Sequence, residues 1–153
     1  MNIVDKSNRE ITASRLINAS RKLIWKVWTD PEHIINWWGP NGFTNTIDSM
    51  DVKAGGQWKF IMHGPDGVNY RNLITYLEVI EPELIIYEHG PSPKFKVTVT
   101  FEALGEKTRL TMKMLFATSE KRDRTVEKLN AVEGLKQTLG KLQEYLKKYY
   151  PHK

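Results

Sequence analysis

Between Phe43 and Phe116 the chain alternates apolar and polar residues with a period of two, and turn chemistry interrupts the pattern at near-regular intervals. Few patterns constrain a fold more tightly, because that period puts successive side chains on opposite faces of extended strands, making one sheet face apolar and the other wet. Trp58, Phe60 and Met62 share one face of a strand, with Gln57, Lys59 and His63 on the other. Gly64-Pro65-Asp66-Gly67 follows, with proline second and glycine fourth, which predicts a tight turn and a hairpin. The next strand runs through Tyr70, Asn72, Ile74 and Tyr76, breaks at Glu81-Pro82-Glu83 and resumes as Leu84-Ile85-Ile86-Tyr87. Phe95, Val97, Val99 and Phe101 alternate with Lys94, Lys96, Thr98, Thr100 and Glu102, the clearest half-buried strand of all. Gly105-Glu106-Lys107 turns this strand into one carrying Leu110, Met112, Met114 and Phe116 on a single face.

Helical patterns flank the meander. After a first strand from Arg9 to Ile17, Ser20 offers an N-cap for a short helix from Arg21 to Trp28, in which Leu23, Ile24, Val27 and Trp28 recur at helical spacing. Asp30, Pro31 and Glu32 suit the cap, first position and positive end of a second short helix, expected to run to about Trp37 until Gly39-Pro40 stops it. Trp37 and Trp38 are expected to anchor that helix on the sheet and shape a cavity rim. From Ser119 onward one long helical stretch is expected, with Val126, Leu129, Val132, Leu135, Leu139, Leu142, Leu146 and Tyr149 forming a stripe that faces the sheet. Gly134 and Gly140 each cost about 1 kcal/mol there relative to alanine, which implies a tight contact or a kink over open space. Asn130 marks a place where an irregular first turn gives way to the main helix. The architecture is α+β: a strand, two short helices, about six antiparallel strands and a long C-terminal helix across a concave face. No repeat or linker divides it, so residues 1–153 read as a single domain with its core at about residues 9–149.

Composition narrows the chemistry. There are no cysteines, hence no disulfides, thiolate nucleophile or cysteine-bound zinc. No segment approaches the roughly 20 apolar residues of a membrane span, and the N-terminus lacks a signal-peptide run, so a cytoplasmic location is expected. The net charge of +5 is dispersed, with no nucleic-acid-binding motif beside it, and no nucleic acid partner is expected. His33, His63, His89 and His152 occur singly without the spacing of a helical zinc site, and His63 is expected to be solvated. No metal and no cofactor are expected. None of Ser7, Ser14, Ser20, Ser49, Ser92 and Ser119 lies in a nucleophile elbow, and the glycines form no dinucleotide-binding unit. Glu88 is the acid-base candidate, since alternation puts it with Leu84 and Ile86, although an edge or bulge position turned to water is favoured. Asp48 and Asp51 read as turn and cap residues, and Arg71 as an exposed strand residue.

The positive signal is aromatic. Trp38, Trp58, Phe60 and Met62, then Tyr70, Asn72 and Tyr76, then Phe101, Met112 and Met114 are placed around a concave surface, with Leu135 and Leu139 facing them from the helix. These twelve are the candidate cavity-lining residues. Pockets for small molecules are mostly apolar with a few polar fixing points, and a buried hydroxyl or amide on Tyr70, Tyr76 or Asn72 needs a partner that a ligand or water can supply.

The order of these elements, together with Trp37-Trp38-Gly39-Pro40-x-Gly42-Phe43, Asp51-x-x-x-Gly55-Gly56-x-Trp58, Gly64-Pro65-Asp66-Gly67 and Glu133-Gly134-x-x-Gln137-Thr138-Leu139, resembles a known family. It is that of the bacterial relatives of the C-terminal domain of the activator of heat-shock protein 90 ATPase, in the START-like (SRPBCC, Bet v 1-like) superfamily. The resemblance implies a helix-grip fold: a seven-stranded antiparallel sheet, two short helices after its first strand, and a long helix closing a cavity. About function it implies less, since members of the superfamily bind lipids and other apolar molecules, cyclise polyketides or stimulate a chaperone. The aromatic concave face with no convergent catalytic set makes non-enzymatic binding of a small apolar molecule or lipid the expectation. The alternatives are a chaperone-associated interaction module and a cyclase or hydrolase using Glu88, a histidine or a tyrosine hydroxyl in the cavity. A monomer or a homodimer joined at a sheet edge is compatible with such a sheet.

Overall fold

The computed structural model describes residues 6–90 and 94–149. Ser92, His152 and the side chains of Ser7, Leu129 and Tyr149, all named above, lie outside the described residues. After a short 3-10 turn at Lys6–Arg9 come β1 (Glu10–Ile17), α1 (Arg21–Thr29), α2 (Pro31–Ile34), β2 (Thr44–Met50), β3 (Gln57–His63), β4 (Asn69–Ile80), β5 (Leu84–Gly90), β6 (Phe95–Leu104), β7 (Lys107–Leu115), α3 (Ser119–Leu129) and α4 (Ala131–Tyr149). The strands form one seven-stranded antiparallel sheet in the order β1-β7-β6-β5-β4-β3-β2. This is the expected α+β architecture.

Local chemistry explains the boundaries. The Ser20 hydroxyl accepts from Leu23 N at 3.2 Å to start α1, and Asp30 Oδ1 accepts from Glu32 N at 2.9 Å to start α2. The hairpin at Gly64–Gly67 closes with Gly67 N donating to Gly64 O at 3.0 Å. Register shifts between Ile47 and Ser49 and between Tyr76 and Glu78 interrupt the pairing of β2 with β3 and of β4 with β5. Such irregularities increase the local twist that bends a sheet around its concave face.

Three expectations are corrected. The second helix ends at Ile34 and continues to Trp37 only as turns, with Trp37 N bonding to Ile34 O. The C-terminal stretch is two helices, because Asn130 adopts the left-handed conformation at φ 49° and ψ 49°, which asparagine tolerates better than most residues. That break resets the helical phase and leaves Val132 exposed, whereas Leu135, Leu139, Leu142 and Leu146 are buried. Along β5, finally, Ile85 and Tyr87 face the core, so Leu84, Ile86 and Glu88 share the outer face of a central strand. Glu88 is turned away from the concave side as an outer-face residue, and its strand is not at an edge.

Candidate functional site

The concave face is continuous in sequence pattern but divides along the strands into two ends. At one end the two short helices press tryptophans into the sheet. Trp28 lies 5.0 Å from Trp37, 5.8 Å from Trp38 and 5.7 Å from Phe101, centroid to centroid. Trp25 meets Phe101 at 5.1 Å, and Trp38 meets Trp58 at 5.2 Å. Trp37 Nε1 donates to Val27 O at 3.1 Å, tying the turn after α2 back to α1. Edge-to-face packing of this kind adds to the burial itself.

At the other end the space is open as a cavity of about 620 Å³, within the range of small-molecule pockets. Its floor is the sheet: Phe60 and Met62 of β3, Tyr70, Asn72 and Ile74 of β4, and Tyr87 and His89 of β5. Phe95 and Val97 of β6 and Met112 and Met114 of β7 complete it. The roof comes from the helix break, with Thr125 of α3, Asn130, and Ala131, Gly134, Leu135 and Thr138 of α4. Trp38, Gly39, Pro40 and Phe43 form the near side, so the tryptophan-glycine-proline motif is the rim where the two ends meet.

Several contacts hold that rim to the roof. Gln137 Oε1 accepts from Asn41 N at 3.0 Å, and Lys141 Nζ donates to Pro40 O at 3.2 Å and Phe43 O at 3.4 Å. Burial pulls the Lys141 ammonium pKa below its usual value. Two glycines lie close to this seam. Gly39 sits at φ +97°, and a Cβ there would lie 2.8 Å from Met62 Cε. A Cβ on Gly134 would meet Pro40 Cγ at 3.3 Å, the tight packing contact that its place in a helix implied. At Gly140 a Cβ would make only ordinary contact, 3.8 Å, with the Arg15 guanidinium, which donates to Gln143 Oε1 at 2.7 Å.

Polar groups in the cavity are few, and most are already engaged. The Thr125 and Thr138 hydroxyls donate to Lys121 O and Gly134 O, each at 2.9 Å. Asn72 Nδ2 donates to Tyr70 O at 2.9 Å, leaving Asn72 Oδ1 to accept from His89 Nε2 at 2.5 Å. The His89 ring stacks on Phe95 at 4.6 Å with 5° between the planes. Tyr87 differs from these: it is 4% exposed, and burial followed by the proximity of Tyr76 pushes its pKa up, so it stays neutral. Among the described residues no group of three or more His, Asp or Glu side chains is placed to hold a metal ion.

Of the twelve candidates, Trp38, Phe60, Met62, Tyr70, Asn72, Met112, Met114 and Leu135 line the cavity. Trp58, Tyr76, Phe101 and Leu139 do not. They are buried 2%, 3%, 1% and 1% exposed in the packed core, because alternation specifies a face and not a position along the strand. Tyr70 is 37% exposed and stands with Phe43 at the mouth, ring centroids 5.9 Å apart. Arg71 is an exposed residue of β4, as expected, and also borders the cavity. Sequence reasoning passed over Tyr87 and His89 as site residues. The signal was available in the phase of β5, since a charged Glu88 facing water puts both neighbours inside.

A family model described as Activator of Hsp90 ATPase homolog 1-like protein matches residues 18–147. Among solved structures, a protein from Arthrobacter aurescens, determined by NMR, is 22% identical with a TM-score of 0.87, covering 97% of this chain and 95% of that one. A crystal structure of a protein from Mycobacterium smegmatis gives 23% identity, a TM-score of 0.86 and coverage of 95% and 96%. The AHSA1-like protein from Aeromonas hydrophila gives 17%, 0.71, and 91% and 92%. No match is found among curated proteins. At these identities the structural likeness establishes the fold alone.

Proposed function

From the premise that the chain belongs to the Activator of Hsp90 ATPase homolog 1-like family, and from the lining of its cavity, we propose that it binds a small, largely apolar molecule without altering it chemically. The observation that carries this reading is the cavity of about 620 Å³ between the sheet and the first turns of α4, walled mostly by aromatic, methionine and aliphatic side chains. Burying an apolar ligand against such walls contributes about 25 cal/mol for each Å² removed from water. Methionine suits a lining that adapts to the shape of its occupant, and Met62, Met112 and Met114 supply three. Glu88, the carboxylate offered for acid-base work, lies on the outer face. A chaperone-associated role rests on the family description, with no residue of the cavity carrying it.

Titration with Nile red tests the reading. The native protein is expected to bind the dye with a blue-shifted gain in fluorescence. Leu135→Trp, which adds bulk at the roof, is expected to weaken binding tenfold or more while the protein remains folded. Absence of a spectral change with the native protein, or equal binding by the folded variant, contradicts it.

A further inference from the structure

Among the described residues, Tyr87 is a cavity-lining polar group with no bonding partner. Its side chain is 4% exposed and lines the cavity floor, and among the described residues its hydroxyl has no hydrogen-bond partner. Nor is that oxygen sealed in the core: the buried polar side-chain atoms both closed off and unbonded among the described residues are Asn45 Oδ1 and Trp58 Nε1. Tyr87 is thus a lining residue of the cavity whose oxygen is not closed off. Of the other polar groups lining the cavity, Asn72 and His89 are bonded to each other and the two threonines to helix carbonyls. A buried hydroxyl left unsatisfied is costly, and a neutral phenol is a good donor to an oxygen acceptor.

Resting on the apolar-ligand reading, we propose that the ligand of this cavity carries a neutral oxygen acceptor, a ketone or ester carbonyl, held by the Tyr87 hydroxyl, and that a carboxylate is disfavoured at this position. The charge distribution carries the second half of this statement. Among the described residues, the charged ones bordering the cavity are Arg71 and Glu133, both exposed. An ionised carboxylate beside Tyr87 would be desolvated without a cation at that depth, which is far more costly than burying a carbonyl that receives one hydrogen bond. The upward shift of the Tyr87 pKa agrees, since the hydroxyl keeps its proton to donate.

A matched set of probes on one skeleton tests this: fluorene, fluorenone and fluorene-9-carboxylate, titrated into the native protein and Tyr87→Phe by NMR. The native protein is expected to bind fluorenone about tenfold more tightly than fluorene, the range of one net hydrogen bond, and the carboxylate more weakly than either. In Tyr87→Phe the ketone's advantage over fluorene is expected to fall below threefold. In the native complex the fluorenone carbonyl stretch is expected to move to lower frequency than in hexane, a reading that needs no variant. Binding of all three probes without preference for the ketone, a preference that survives in Tyr87→Phe, or an unshifted carbonyl overturns the inference while leaving the apolar-ligand reading intact. If no probe binds, both fail.

Discussion

Trp58 and Phe60 sit two residues apart on β3, share its apolar face and stack at 4.0 Å, yet one is sealed in a plug of aromatic rings and the other walls a cavity. The same division runs across the sheet. Phe101 of β6 packs under Trp25 and Trp28, while Phe95 on the same face of that strand lies against His89 at the open end. The strands treat both ends alike. What differs is the layer above them: α1, α2 and the turn to Trp38 fill one end, whereas the break at Asn130 and the small residues Ala131 and Gly134 leave the other under-filled. A cavity here is a property of the covering helices and not of the sheet.

The sharpest way to break this comparison is to truncate one residue at each end. Trp37 is 1% exposed and bonded to Val27 O, so Trp37→Ala is expected to cost about 3–5 kcal/mol, the usual toll for emptying an aromatic site in a core. Met114 already borders open volume, and Met114→Ala is expected to cost about 2 kcal/mol, the low end for such a truncation. Urea unfolding of the two variants measures the difference. Equal losses would mean that the two ends are packed alike.

How much of this was legible in the sequence follows from the same contrast. Alternation in Phe95-Val97-Val99-Phe101 identified the inner face, and the capping chemistry of Ser20 and Asp30 located both short helices. Alternation carries no information on where along a strand the covering layer ends, which is why Trp58, Tyr76, Phe101 and Leu139 were placed around a cavity they do not touch. The run Leu84-Ile85-Ile86-Tyr87 is apolar in both phases, so its facing depends on Glu88 and His89, and Glu88 was assigned to water through an edge or bulge without the consequence that Tyr87 faces inward. Asn130 was recognised as an irregularity, but a left-handed residue that splits the helix depends on tertiary context.

A smaller effect is read out by pH. Tyr87 and Tyr76 have folded pKa values raised above the usual 10 by burial, so the folded state holds more protons than the unfolded state once the pH passes 10. The stability they contribute is fully present below pH 10 and is lost above it, at up to about 1.4 kcal/mol per tyrosine per pH unit. Lys141 acts with the opposite sign: its folded pKa is lowered by burial, so its contribution rises with pH until about 10.5. Urea midpoints at pH 9, 10 and 11 should therefore fall less steeply for Tyr87→Phe than for the native protein. Identical slopes would remove Tyr87 from the apolar surroundings described for it.

The division of the concave face is tested most directly by diffraction from crystals held under xenon, which enters dry apolar cavities but not packed cores. The account predicts xenon density between Phe60, Tyr87, Val97 and Met114, and none among Trp28, Trp37, Trp38 and Phe101. Side chains filling the first site, or xenon lodged between the tryptophans, would contradict it.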